Sequence, residues 1–116
     1  MVPIAIDAMG GDNAPEAIIE GAGEALDSVP ALHKLLLVGY PDQIEAQLSR
    51  IGKRGDDRIE IVPAEDVIGM GEAASASIRS KPRSSIAVAV DLIKEGRAAG
   101  VVSAGHTGAA VASTVL

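Results

Sequence analysis

The 116 residues include no cysteine, no phenylalanine and no tryptophan, and a single tyrosine, Tyr40. Without cysteine there can be no disulfide, no thiolate zinc site and no Cys nucleophile, which fits a reducing cytosol, the expected location, without fixing it. Without aromatic anchors the core must be assembled from Ala, Ile, Leu and Val, which bury less area per residue. Basic residues are also scarce. Ten Lys and Arg stand against 16 Asp and Glu, a net charge of −6, and this argues against general nucleic-acid binding. No basic region precedes an apolar run at the amino end, and Asp7 interrupts what there is, so a signal peptide is not expected. Nor does any uninterrupted apolar segment approach the ~20 residues that cross a bilayer. What is present is a globular composition, 47% hydrophobic. A short α/β chain is marginal on surface-to-volume grounds. Residues 1–116 are therefore expected to be the amino-terminal part of a larger α/β domain.

Strand and helix patterns alternate along the chain. Residues 2–6 read as a short apolar strand buried on both faces. A turn over 9–13 follows, in which Gly10 and Gly11 give backbone freedom and Asp12 or Asn13 can cap. Pro15 suits the first turn of a helix over 16–27, with Glu16, Glu20, Glu24 and Asp27 as a wet stripe and Ile18, Ile19, Ala22 and Leu26 inward. A strand over 35–38 ends at Gly39, and His33 falls in the loop before it. Pro41-Asp42 opens a helix carrying Ile44, Leu48 and Ile51, and a polar loop at 52–57 precedes a strand at 59–62. Residues 64–71 look irregular, and 72–80 suit one or two helical turns. Ser84 or Ser85 caps a helix with Ile86, Ala89, Val90 and Ile93 on one side, which Gly96 ends. A strand over 99–103 then leads into a glycine turn and a small-residue helix. This alternation predicts a mostly parallel sheet with helices on both faces, whose ligands bind beyond the carboxyl ends of the strands.

Two turns are expected at that edge. Near Ser103, Gly105, His106, Thr107 and Gly108 form a strand–turn–helix junction, where unpaired amides and the helix dipole both favour an anion. Its counterpart holds Asp7, Gly10, Gly11 and Asp12. A phosphate-bearing substrate is expected between them. Asp7 and Asp12 could form an acid/base or metal pair, or simply cap nearby amides, and a hard cation would want more oxygen ligands than these two supply. No metal is expected. His106 is a candidate acid/base or ligand contact without a metal partner at local spacing. The basic run Arg79-Ser80-Lys81-Pro82-Arg83-Ser84-Ser85 is either a solvated loop with a serine cap or a phosphate contact through Lys81 and the amides of Ser84 and Ser85. Gly69-Met70-Gly71-Glu72-Ala73-Ala74 imitates a dinucleotide fingerprint. However, Pro63, Glu65 and Asp66 stand where its strand should be, and Asp91 falls in the middle of a helix.

The run Ile4-Ala5-Ile6-Asp7-Ala8-Met9-Gly10-Gly11-Asp12-Asn13-Ala14-Pro15 resembles the opening signature of the bacterial phosphate acyltransferases of phospholipid synthesis, the PlsX family. Leu36-Leu37-Val38-Gly39, then Lys81 to Ser85, then Ser103-Ala104-Gly105-His106-Thr107-Gly108-Ala109 match in the same order, so the resemblance covers essentially the whole chain. It implies a fold similar to phosphotransacetylases and isocitrate-type dehydrogenases, a homodimer, and loose association with the inner face of the membrane. The implied reaction takes long-chain acyl-[acyl carrier protein] and inorganic phosphate to acyl phosphate and free carrier protein, with no cofactor. The family continues well past this length, so these residues alone are expected to be inactive. Phosphate is its own nucleophile in such a transfer, and the protein must hold two anions together and stabilise an oxyanion. His106, Thr107 and Lys81 are the candidate catalytic residues. Asp7, Gly10, Gly11, Asp12, Ser84, Ser85, Ser103, Gly105 and Gly108 are the candidate substrate-binding ones. A nucleotide- or phosphate-binding module without acyl transfer is the competing expectation, and a pure scaffold is a third.

Overall fold

Strongly apolar pentads at 2–6 and 35–39, with no Phe or Trp ring to fill space between elements, favour strands packed closely under helices. The computed structural model describes residues 2–10, 13–66 and 83–103. The chain runs β1 (Val2–Asp7), α1 (Glu16–Ser28), β2 (Leu32–Gly39), α2 (Pro41–Arg50), β3 (Ile59–Pro63), α3 (Ser85–Lys94) and β4 (Gly100–Val102). The strands form one sheet in the order β3-β2-β1-β4, and every pairing is parallel. In register, Ala5 lies beside Leu36 on one side and Val101 on the other, while Ile6 lies beside Leu37 and Val102.

Alternation along these strands divides the core in two. Leu35, Leu37 and Ala8 meet Ile19, Ala22 and Leu26 of α1 and Ile44 and Leu48 of α2. Ala5, Leu36, Val38 and Val62 meet Val88, Ala89 and Leu92 of α3 on the opposite face. Helices therefore cover both faces of a parallel sheet, the expected class of fold, and the core is aliphatic throughout. The acidic stripe of α1 is exposed as expected, and part of it engages cations: Arg50 reaches Glu20 at 2.8 Å, and Lys53 reaches Asp27 at 2.7 Å.

Several boundaries differ from the sequence reading. β2 begins three residues earlier than expected and takes in His33, which was placed in a loop. Pairing with β1 recruits the polar residues there, and Lys34 meets Glu60 of β3 at 3.1 Å. At the start of α1 the N-cap is Pro15, with no side-chain cap. Asn13 contributes its backbone carbonyl instead, accepting from Ala17 N at 3.0 Å. Ile93 was expected to face inward but is 41% exposed, whereas Leu92 is buried. The reason is that α3 is buried nearly all round from Ser85 to Val90, so apolar residues there mark no single face.

Both α2 and α3 stop in the same way. The amide of Gly52 donates to Ser49 O and that of Lys53 to Leu48 O; likewise Gly96 donates to Ile93 O and Arg97 to Leu92 O. These paired bonds need a left-handed residue after the helix, and Gly52 and Gly96 supply it with φ of +73° and +78°. At the other end of α3, Ser84 caps, its Oγ accepting from Ala87 N at 3.3 Å. Ser84 is fully buried. Ser84→Ala is therefore expected to destabilise the protein by about 1–2 kcal/mol, the loss of a cap with its amide left unpaired, measurable by urea titration.

The loop before β3 is tied down by Arg58, which donates through Nη2 to Asp56 Oδ2 at 3.1 Å and through Nη1 to Leu26 O at 3.0 Å. The Arg58 side-chain and backbone bonds hold the Asp56 carboxyl below its usual pKa. A carboxyl lowered in the folded state contributes stability above its unfolded pKa, about 3.9, and loses it as pH falls through the lowered value. The gap in Tm between wild type and Asp56→Asn should thus be constant from neutral pH down to about pH 5 and should shrink steadily below about pH 4.

Candidate active site

β1 carries β2 on one side and β4 on the other. The chain leaves β1 through α1 in one direction and returns through α3 to the opposite side. Strand order reverses at β1, and in open parallel sheets this leaves a crevice outside the carboxyl ends of the two diverging strands. Asp7 is the last residue of β1, and Ser103 is the first after β4.

These two residues, far apart in sequence, are in contact. The Ser103 hydroxyl donates to Asp7 Oδ2 at 3.2 Å. The other carboxylate oxygen, Oδ1, accepts from the Met9 amide at 3.1 Å. Asp7 is only 3% exposed. A carboxylate removed from water must have its lone pairs occupied, and here one oxygen orders the exit of β1 while the other reaches the end of β4. Of the alternatives offered above for Asp7, the described contacts show the capping one, at the Met9 amide, together with a bond to Ser103 at the end of β4. Ala8 N donates to Val38 O at 2.9 Å, which extends the sheet pairing to the start of the turn, and Gly10 is buried behind it.

A groove of about 500 Å³ runs from this pair along the face of the sheet that carries α1. Ile4, Ile6 and Val102 floor it, and Ile18, Ala22 and Leu32 line its side toward α1. Its size falls in the ordinary range for small-molecule sites. Val102, on the edge strand β4, is 57% exposed. Nothing in the sequence reading pointed to this groove, because its residues lie on three strands and a helix and each alone looks like core.

Of the other expected residues, Ser84 and Ser85 lie where α3 begins. Residue 66, beyond the end of β3, forms a parallel bridge with Ser84, and the Ser85 amide donates to Asp66 O at 2.9 Å. Both serines are buried, and the Ser84 hydroxyl is engaged in the cap. Gly11, Asp12, Lys81, Gly105, His106, Thr107 and Gly108 lie outside the described residues, as does the dinucleotide-like run at 69–74.

The topology and the carboxylate–hydroxyl pair at the strand-order reversal define an α/β protein with a crevice at the carboxyl edge of its sheet. Within that class, residues 2–116 match the family model described as "Fatty acid synthesis protein", and the chain belongs to that family. It is 46% identical over 113 residues to a protein of Akkermansia muciniphila named "Phosphate acyltransferase", covering 97% of this chain and 32% of that one. A Cyanothece protein of the same name is 50% identical over 113 residues, with the same coverage. Another from Pseudomonas putida is 45% identical over 109 residues, covering 94% of this chain and 32% of its own length. The chain thus spans about a third of the length of the curated relatives it matches.

Proposed function

We propose that the full-length protein is a phosphate acyltransferase that moves a long-chain acyl group from acyl-[acyl carrier protein] to inorganic phosphate. An oxygen of hydrogen phosphate attacks the thioester carbonyl, the carbon–sulfur bond breaks, and the carrier-protein thiolate leaves and takes up, through solvent, the proton that the phosphate gives up. Acyl phosphate is the product. The reading is carried by one observation, the contact between Asp7 and Ser103 at the strand-order reversal. It is supported by the shared name of the relatives.

In this reaction Asp7 does not touch the nucleophile. It fixes Ser103 and the Met9 amide so that the turns after β1 and β4 present their backbone donors to the two oxyanions. Gly10, Gly11, Gly105, Thr107 and Gly108 form the cradle, Lys81 and the start of α3 lower the local negative charge, and His106 donates to the oxyanion or the leaving sulfur. Homodimerisation, a cytoplasmic location and peripheral contact with the membrane belong to the same proposal. Among the described residues no helix is long and apolar enough to cross a membrane.

The test is direct. Full-length protein incubated with acyl-[acyl carrier protein] and phosphate should yield acyl phosphate by mass spectrometry, and only when both substrates are present. Absence of that product, with binding of nicotinamide nucleotides in equilibrium dialysis, would favour the nucleotide-binding module instead.

A further inference from the structure

At the end of β2 the sheet makes a tight contact that the reaction does not explain. Gly39 lies beside Pro63 of β3 in the sheet, and its carbonyl accepts from Ala64 N at 2.9 Å. A Cβ placed on Gly39 would come within 2.6 Å of Met9 Cγ, 2.9 Å of Met9 Sδ and 3.1 Å of Ile44 Cδ1. Glycine's φ is not at issue here, because Gly39 is not among the positive-φ residues. What matters is the space it leaves. Non-bonded carbons settle about 3.5–4.0 Å apart, so even one methyl group would force the Met9 side chain away from its seat. The clash falls on Met9 Cγ, near the backbone, where rotation of the thioether tip gives little relief.

We propose that Gly39 is a positioning residue for the active site, a socket at the end of β2 that seats Met9 and through it orients Asp7. The links are continuous: Gly39 leaves room for the Met9 side chain, the Met9 amide donates to Asp7 Oδ1, and Asp7 Oδ2 accepts from Ser103. Ala8, bonded to Val38 O next to Gly39, holds the intervening backbone against β2, so a shift of Met9 cannot be absorbed by moving the whole turn. Displacements of about 1 Å at a reaction centre cost up to ~100-fold in rate.

The link to catalysis rests on the proposed acyl transfer, but the contact itself can be read without it. In full-length protein, Gly39→Ala should lower acyl phosphate formation about tenfold or more and speed hydrogen exchange at the Met9 amide. In a Met9→Ala background the same substitution should cost no more than about twofold, because the two closest atoms are gone and only the tip of Ile44, at 3.1 Å, must give. Equal losses in the two backgrounds would overturn the proposal, as would Gly39→Ala with unchanged turnover and unchanged Met9 exchange. Should Gly39→Ala fail to fold, recovery of the fold by the added Met9→Ala supports the socket, and failure of both refutes it. If wild-type protein forms no acyl phosphate, the acyl-transfer reading falls, and Met9 exchange in the single and double variants decides the socket alone.

Discussion

Asp7→Ala in the full-length protein is expected to cut acyl phosphate formation about 100-fold, the cost of letting a reaction centre shift by an ångström or so. The side chain is 3% exposed and is the shared acceptor for the Met9 amide and the Ser103 hydroxyl. Removing it takes away the acceptor that ties the end of β1 to the end of β4. Asp7→Asn separates the electrostatic from the geometric contribution. It keeps an acceptor for Met9 but turns the second oxygen into a donor, so Ser103 must accept where it had donated. About a tenfold loss is expected, with the fold retained by circular dichroism, because charge-assisted hydrogen bonds are roughly twice as strong as neutral ones. Ser103→Ala should resemble Asp7→Asn more than Asp7→Ala, since Met9 keeps its acceptor. Wild-type turnover in Asp7→Ala would remove the pair from the reaction altogether.

The second large effect concerns stability. Leu37 is fully buried in β2, flanked by β1 and β3, and packs among Ile19, Ile44 and Leu48. Leu37→Ala is expected to cost about 2–5 kcal/mol, because a parallel sheet hydrogen-bonded on both sides cannot collapse around the cavity. With a total of about 5–15 kcal/mol typical of native proteins, that is a large share. The urea midpoint should fall by roughly 1–2 M. Ile93→Ala gives the contrast: the side chain is 41% exposed, and the change should cost about 0.5 kcal/mol or less. Equal shifts for the two would contradict the division of the core described above.

The class of fold was legible because two periodicities alternate and the breakers between them are strong. Pro41 at the start of α2, Ser84 before α3 and Gly96 after it act locally, so their roles follow from residue type alone. Tertiary pairing is not local. β2 extends back through His33 because Val2 and Pro3 of β1 have partners there, which no window on the sequence contains. Ile93 was misplaced because helical periodicity identifies a face only when the rest of the helix is polar, and α3 has no such contrast in its first half. As for the site, the alternation of elements put the turns of Asp7 and Ser103 at one sheet edge, but the bond between the two side chains was not legible. Their contact depends on strand order, and nothing in either segment encodes that β4 lands beside β1 and not beside β3. The seat of Met9 on Gly39 was illegible for a further reason: a glycine at a strand end has many uses, and only the neighbouring atoms reveal which one applies.

Gly52 and Gly96 close their helices with bonds made entirely within the last turn, at the edge of the sheet opposite Asp7. Between α2 and β3 the loop is anchored by Lys53 on Asp27 and by Arg58 on Asp56 and Leu26 O, and its remaining side chains are spare. Arg54, Gly55 and Asp57 are exposed there, ahead of β3. A fluorophore or an affinity handle attached at the exposed Arg54 or Asp57 should therefore report on the protein without disturbing its chemistry.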